Sequence, residues 1–296
     1  MEILGVPVDL FLQSLVSGIL MGGIFALFGV GFSMTWGVMR IINISYATFG
    51  VLAAYLALWL LTALGLDPIL SLIFILPAFF LLGIFLHRFL LRYVVKSKTL
   101  EVANLILTFG MAIILENLML LIWKPDARLI TTPYSSKAFF IGEIVIPYPL
   151  VAGFCLATAG VLLIHFFLTR THIGKAVRAT WQEPEGSLLM GINPGRVSML
   201  TFGLSMVFAG AGGVSMALIY SFYPSVHHSW LIFLFLIAIT GGVGNIFGAA
   251  GAGLLIGLIT GVTGAFLPFE WVNVLMFGLL VFVLLIRPYG IFNSVV

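Results

Sequence analysis

Few residues in this 296-residue chain are of a type that does chemistry, and most of them stand in apolar surroundings. Glu116, in GMAIILENLMLLIW, is the only acid well inside an apolar run. A carboxylate in lipid costs a few kcal/mol, so it must face a partner or a wet cavity. Three roles fit it: part of a substrate path, a proton-coupling group, or a helix–helix hydrogen bond to a neighbouring Asn, Ser or Thr. A lone acid with no second acid and no buried lysine makes a poor proton relay. Asn43, Tyr46 and Asn245 are uncharged polar groups inside Gly-rich apolar stretches. They suit hydrogen bonding to a small polar or zwitterionic solute beside exposed helix ends, or satisfaction of locally unwound backbone. Arg40 either meets a carboxylate near such a break or is a cytoplasmic anchor. His227 and His228 are adjacent, in an external turn. Adjacent histidines point to different faces and have no further ligand close in sequence, which argues against a metal. No HExxH, GxSxG or GxxxxGK[ST] occurs, so no enzyme constellation and no phosphate cradle is present.

These residues are carried by an oily chain. It is 62% hydrophobic and 8% charged, with a mean hydropathy of +1.24, whereas a soluble domain carries about 25% charged residues. That defines a polytopic membrane protein, all-α, with about eight spans in one domain over residues 1–296. A net charge of +3 offers nothing to nucleic acid. MEILGVPVDLF has no basic region ahead of its apolar stretch, so the first run is read as a retained span. The single Cys155 is read as a small core residue.

Apolar runs place the spans at Leu10–Val30, Ser45–Leu64, Ile69–Leu86, Ala103–Trp123, Leu150–Leu168, Val197–Tyr220, Leu231–Val262 and Val272–Ile286. Arg88, Arg92, Lys96 and Lys98 lie in one loop, and Arg170, Lys175, Arg178 and Arg196 in another. Two spans separate these loops, so both lie on one side, and basic residues mark it as cytoplasmic. Lys124–Pro149 is then an irregular external loop. His87 and His165 fall at the cytoplasmic ends of spans, where interfacial placement accounts for them.

Two stretches break the helical pattern, Gly29–Gly50 and Thr240–Gly253, the latter with Gly241, Gly242 and Gly244. Glycines at membrane depth either unwind the backbone or let helices touch. A weak internal repeat surrounds them. Each half has a plain span, an interrupted segment (Ser33–Leu64; Leu231–Val262), a Pro-bearing turn and a span ending in arginine. Paired interruptions point to a transport site. The repeat puts the C-terminus in the cytoplasm if Leu231–Val262 is a re-entrant or doubled element, for which its 32 residues suffice.

The longest polar segment is Arg170–Arg196. Thr180–Glu183 ends one short helix, Pro184 opens the next, and Gly191 closes it. A charged helical loop of this kind is a docking surface.

Four segments resemble the inner-membrane permeases of branched-chain amino acid ABC transporters: NISYATFGVLAAY (Asn43–Tyr55), HIGKAVRATWQEPEGSLLMGIN (His172–Asn193), GGVGNIFGAAGAGLLIGL (Gly241–Leu258) and LLIRPYGIF (Leu284–Phe292). They fall in the family's order, and the resemblance extends over most of the chain. The resemblance implies two cytoplasmic ATPase subunits, a second permease subunit (related or identical) and a periplasmic solute-binding protein, all working in a lipid bilayer. No cofactor is implied in this chain, since ATP would be bound by the partners. From the breaks and the buried acid themselves, Asn43, Tyr46, Glu116, Gly241, Gly242, Gly244 and Asn245 are the candidates for the solute path of such a permease. Gly174, Lys175, Arg178, Glu183, Pro184, Glu185 and Gly191 would couple the loop to the ATPase, with residues 184–191 as the inserting tip. Tyr46 and Ala47 stand where the family usually has His-Gly, and Thr48 and Thr260 where acids are common. Swapping His for Tyr removes a titratable group, which opens the cargo to urea, short amides and other amino acids. A stand-alone channel or a Glu116-based proton-coupled transporter would have no use for the charged loop.

Overall fold

The computed structural model describes residues 2–3, 6–94, 100–267, 269–287 and 290–291. Lys96, Lys98 and Pro268 lie outside that set, as do Pro288, Tyr289 and Phe292 of the C-terminal motif. The order is β1 (Glu2–Ile3), β2 (Val6–Pro7), α1 (Val8–Met39), α2 (Tyr46–Leu64), α3 (Pro68–Leu86), a π-turn (His87–Leu91) and α4 (Arg92–Val94). Next come α5 (Leu100–Trp123), β3 (Ala138–Ile141), β4 (Ile144–Pro147), α6 (Tyr148–Arg170), α7 (His172–Gln182) and α8 (Pro184–Leu189). The chain closes with α9 (Pro194–Ala217), a 3-10 turn (Pro224–Val226), α10 (His227–Gly241), α11 (Ile246–Phe266) and α12 (Phe269–Ile286).

Among the described residues eight helical segments are long and apolar enough to cross a membrane, and Val274–Ile286 of α12 is a shorter apolar one. The bundle is therefore mostly helical, as composition required. The external loop is more ordered than expected: β3 and β4 form an antiparallel hairpin, with Ile141 opposite Ile144. Its strand β4 meets the start of α1, where the Gln13 amide donates to Val145 O (2.6 Å) and accepts from Val145 N (2.7 Å). The chain thus enters α1 from the side of that loop, opposite the basic loops.

Residues 231–262 hold two helices rather than one span. They separate at residues 242–245, on the basic side, so α12 returns to that side and the doubled-element expectation holds. The first half differs from its expected outline. α1 runs unbroken for 32 residues, about 48 Å, and the interruption falls later, at residues 40–45. Gly29, Gly31 and Gly37 stay helical because each gives room to a neighbour: Ile237, Tyr46 with Phe208, and Gly244 respectively. The plain span of the first half is thus the outer part of α1 itself.

The tightest helix pair is α1 against α11. Gly18 and Gly22 face Gly253, Gly257 and Gly261, a four-residue spacing on both helices that lets backbones meet. In lipid there is little hydrophobic drive between helices, so this close dispersion contact is what holds α1 to α11. Around them lie the buried Phe28, Phe32, Tyr46, Phe202 and Ile237. His87 is buried, not interfacial. Cys155 is exposed on α6, so it is no core residue.

Candidate functional site

The first break begins at Arg40, which caps α1 in the left-handed region (φ 54°) with its side chain exposed. From there residues 40–45 run back into the bundle until Tyr46 reaches the level of Phe28, whose carbonyl accepts from the Tyr46 hydroxyl at 3.1 Å. Phe28 lies eleven residues before Met39, or about 16 Å along the helix. A re-entrant backbone at that depth must find partners. Asn104 Nδ2 donates to Ile42 O at 2.9 Å and Thr108 Oγ1 to the same oxygen at 3.3 Å. These two residues are four apart on α5, hence on one face. Ser45 Oγ donates to Asn43 Oδ1 at 2.7 Å.

The second break turns on Gly242 (φ 86°) and Gly244 (φ 82°), conformations open to glycine at little cost. Asn245 caps α11, its Oδ1 accepting from Gly248 N at 2.9 Å. Ser33 on α1 accepts from Gly244 N at 3.0 Å. The tail crosses over it, with Ile291 N donating to Thr240 O at 2.8 Å.

The second break packs on the last turn of α1, just ahead of the first break. A Cβ on Gly37 would overlap Gly244 Cα, and one on Gly244 would stand 2.8 Å from both Gly37 Cα and Trp181 Nε1. Trp181 belongs to α7 of the cytoplasmic loop. It also lines two cavities: one of about 310 Å³ with Met34, His165, Arg178 and Asn245, the other of about 400 Å³ with Trp36, Arg40, Asn104 and Val243. Among the described residues, four buried polar atoms near the breaks have no partner: Asn43 Nδ2, Thr48 Oγ1, Asn104 Oδ1 and Thr240 Oγ1.

The loop folds as two short helices, as its punctuation predicted. Thr171 caps α7, its hydroxyl accepting from Gly174 N at 2.9 Å. Gly174 is required at this elbow because a Cβ there would strike the Phe167 carbonyl. Pro184 opens α8 and Gly191 ends it in the left-handed region (φ 77°). Lys175, Arg178, Glu183 and Glu185 are exposed. So are Leu188, Leu189 and Met190, the last two 90% and 83% exposed. An apolar tip on a polar loop marks a contact surface.

Of the residues read from sequence, Asn43, Tyr46, Gly241, Gly242, Gly244 and Asn245 gather at or beside the breaks. Tyr46 is wholly buried, with its hydroxyl committed to α1. Glu116 stands apart: it is twelve residues beyond Asn104 on α5, about 18 Å nearer the outer face. Its partners are not Asn, Ser or Thr but His227 and His228, at 3.9 and 3.8 Å. The expectation that the histidines diverge fails because His227 opens α10 after a 3-10 turn, and the two rings lie 4.0 Å apart. Asn104, Thr108, Ser33 and Trp181 were missed. The i, i+4 spacing of Asn104 and Thr108 in an apolar run was the available signal.

A helical membrane bundle with two backbone breaks on the side of a structured cytoplasmic loop has the architecture of a transport permease, not of an enzyme. A family model for the permease component of the branched-chain amino acid transport system matches residues 14–284. The chain belongs to that family and is a multi-pass membrane protein. It is 30% identical over 298 residues to the high-affinity branched-chain amino acid transport system permease protein BraD of Pseudomonas aeruginosa, with 95% of each chain covered. It is 29% identical over 306 residues to LivH of Escherichia coli, described in the same words, again with 95% of each covered. A probable LivH of Methanocaldococcus jannaschii is 24% identical over 292 residues, covering 94% of this chain and 91% of that one. No solved structure matches.

Proposed function

We propose that the chain is one membrane half of an ATP-driven importer for a small polar or zwitterionic solute, with a branched-chain or other hydrophobic amino acid as cargo. It pairs with a second permease subunit, two cytoplasmic ATPase subunits and a periplasmic binding protein. The observation that carries this reading is the seat of Trp181 against Gly244, which itself packs on Gly37 in the last turn of α1. Through it, a displacement of residues 170–196 reaches the second break directly, and through Gly244 the end of α1 that leads into the first. The exposed Leu188, Leu189 and Met190 are the part that docks in the ATPase, and Lys175, Arg178, Glu183 and Glu185 frame it. Alternating access follows: ATP-driven closure of the ATPase pair moves α7 and α8, and the second break moves with them while α1 and α11 stay paired.

Asn43 Nδ2, Thr48 Oγ1 and Thr240 Oγ1 have bonding capacity left for a solute. Glu116 lies away from them, which speaks against its membership of the path. Its histidine partners near the outer face also speak against a proton relay through the bundle. Reconstitution with the ATPase and binding-protein partners in liposomes tests the proposal. Uptake of leucine, isoleucine or valine should require ATP and all subunits, and Arg178→Glu or Gly191→Trp should abolish it. Uptake by this chain alone, or unchanged uptake in both variants, would refute the coupling.

A further inference from the structure

Glu116 Oε2 lies 3.9 Å from His227 Nε2 and 3.8 Å from His228 Nε2. Both distances are too long for hydrogen bonds. All three ligand atoms lie within 4.8 Å of one another. His227 Nδ1 is 2.9 Å from Pro224 O, and a carbonyl can only accept, so this nitrogen carries the proton. That fixes the tautomer and turns the bare Nε2 lone pair toward Glu116. A ring nitrogen donating to a backbone carbonyl while the other faces a carboxylate is how proteins hold a metal-binding histidine.

Two lone-pair-bearing atoms and an imidazole at the rim, facing one centre with no hydrogen bond among them, call for a cation between them. We propose that Glu116, His227 and His228 form a zinc-class metal site at the outer face of the bundle. The donor set of two imidazoles and one carboxylate suits zinc and its neighbours rather than magnesium or calcium. Tetrahedral zinc with bonds of about 2.0–2.2 Å sets its ligand atoms about 3.3–3.6 Å apart, a few tenths of an ångström closer than either Glu116–histidine distance. His227 is 2% and Glu116 18% exposed, while His228 is 61% exposed and gives the ion its entry from water. A fourth position is left for a water. The ion ties α5 to the first turn of α10, the helix that leads into the second break.

The test uses the tag-free full chain in detergent. Calorimetry should find one Zn²⁺ per chain, with a raised thermal midpoint that Mg²⁺ does not produce. Co²⁺ should give the visible absorption bands of a four- or five-coordinate centre. His228→Ala and Glu116→Gln should each weaken Zn²⁺ binding by about tenfold or more, whereas His172→Ala, at an exposed histidine in α7, should not. His228 is exposed enough for its loss to leave the fold intact. Equal Zn²⁺ affinity in wild type and His228→Ala, or no Zn²⁺-dependent change in the wild-type midpoint, would overturn the site.

Discussion

Trp181 sits against Gly244 so closely that a Cβ on the glycine would come within 2.8 Å of the indole nitrogen. A helix of the cytoplasmic loop thereby rests on the second break where that break packs on Gly37 in the last turn of α1.

Gly244→Ala should disturb that seat in two ways. The residue has φ 82°, and a left-handed alanine costs about 1–2 kcal/mol. The added carbon also meets Gly37 and Trp181, of which Gly37 is backbone and cannot rotate away. The variant should show a lowered thermal midpoint and reduced ATP-coupled uptake. Trp181→Ala removes the contact without the strain, so it should still co-purify with ATPase subunits while losing uptake. Loss of co-purification instead would make Trp181 part of the docking surface.

Asn104→Ala should destabilise the first break. It leaves the Ile42 carbonyl with the longer bond from Thr108 alone, and an under-satisfied buried group costs about 1–3 kcal/mol. Thermal unfolding in detergent measures this. Asn104→Ala with Thr108→Val should cost more than the single change, and an unchanged midpoint in the double variant would show that the carbonyl has another partner.

The spans were legible because lipid demands long apolar runs, and the doubled nature of residues 231–262 followed from length and sidedness together. The first break occupies only residues 40–45 of the stretch 29–50 that the glycines mark out. Gly29, Gly31 and Gly37 look like helix breakers in one dimension, yet they are sites where α1 receives Ile237, Phe208 and Gly244. Sequence cannot separate these two uses of glycine, since each depends on what lies opposite. The loop is readable in detail because Thr180–Glu183, Pro184 and Gly191 are local signals. The meeting of Glu116 with His227 and His228 was not, because it joins residues 111 and 112 positions apart and turns on one hydrogen bond to Pro224.

Tyr134 anchors the external loop by donating to Asp67 Oδ1 at 3.2 Å, the same oxygen that caps α3 through Ile69 N. Burial first, and then the Asp67 bond, push its hydroxyl up to about 12. The folded value exceeds the ordinary value of about 10, so the neutral anchor is complete below pH 10 and its contribution is lost as pH rises from about 10 to 12. The tyrosinate absorbance difference between wild type and Tyr134→Phe should therefore titrate near 12. A midpoint near 10 would mean that the loop leaves Asp67 in solution.

Leu189→Asp and Met190→Asp separate docking from folding. Both side chains are almost fully exposed at the end of α8, so charging them removes no packing and should leave the thermal midpoint of the isolated chain unchanged. Exposed apolar groups at a loop tip have an energetic purpose only when a partner covers them. Truncating an interface anchor costs upward of about 1 kcal/mol, and burying an unpaired carboxylate in its place costs more. Each variant should therefore weaken association with ATPase subunits by about tenfold or more, measured by co-purification or surface binding. Arg178→Glu, one helix back, should act more weakly on association because an exposed charge pair contributes little. Full association of both tip variants would place the docking surface on α7 and leave α8 as a spacer.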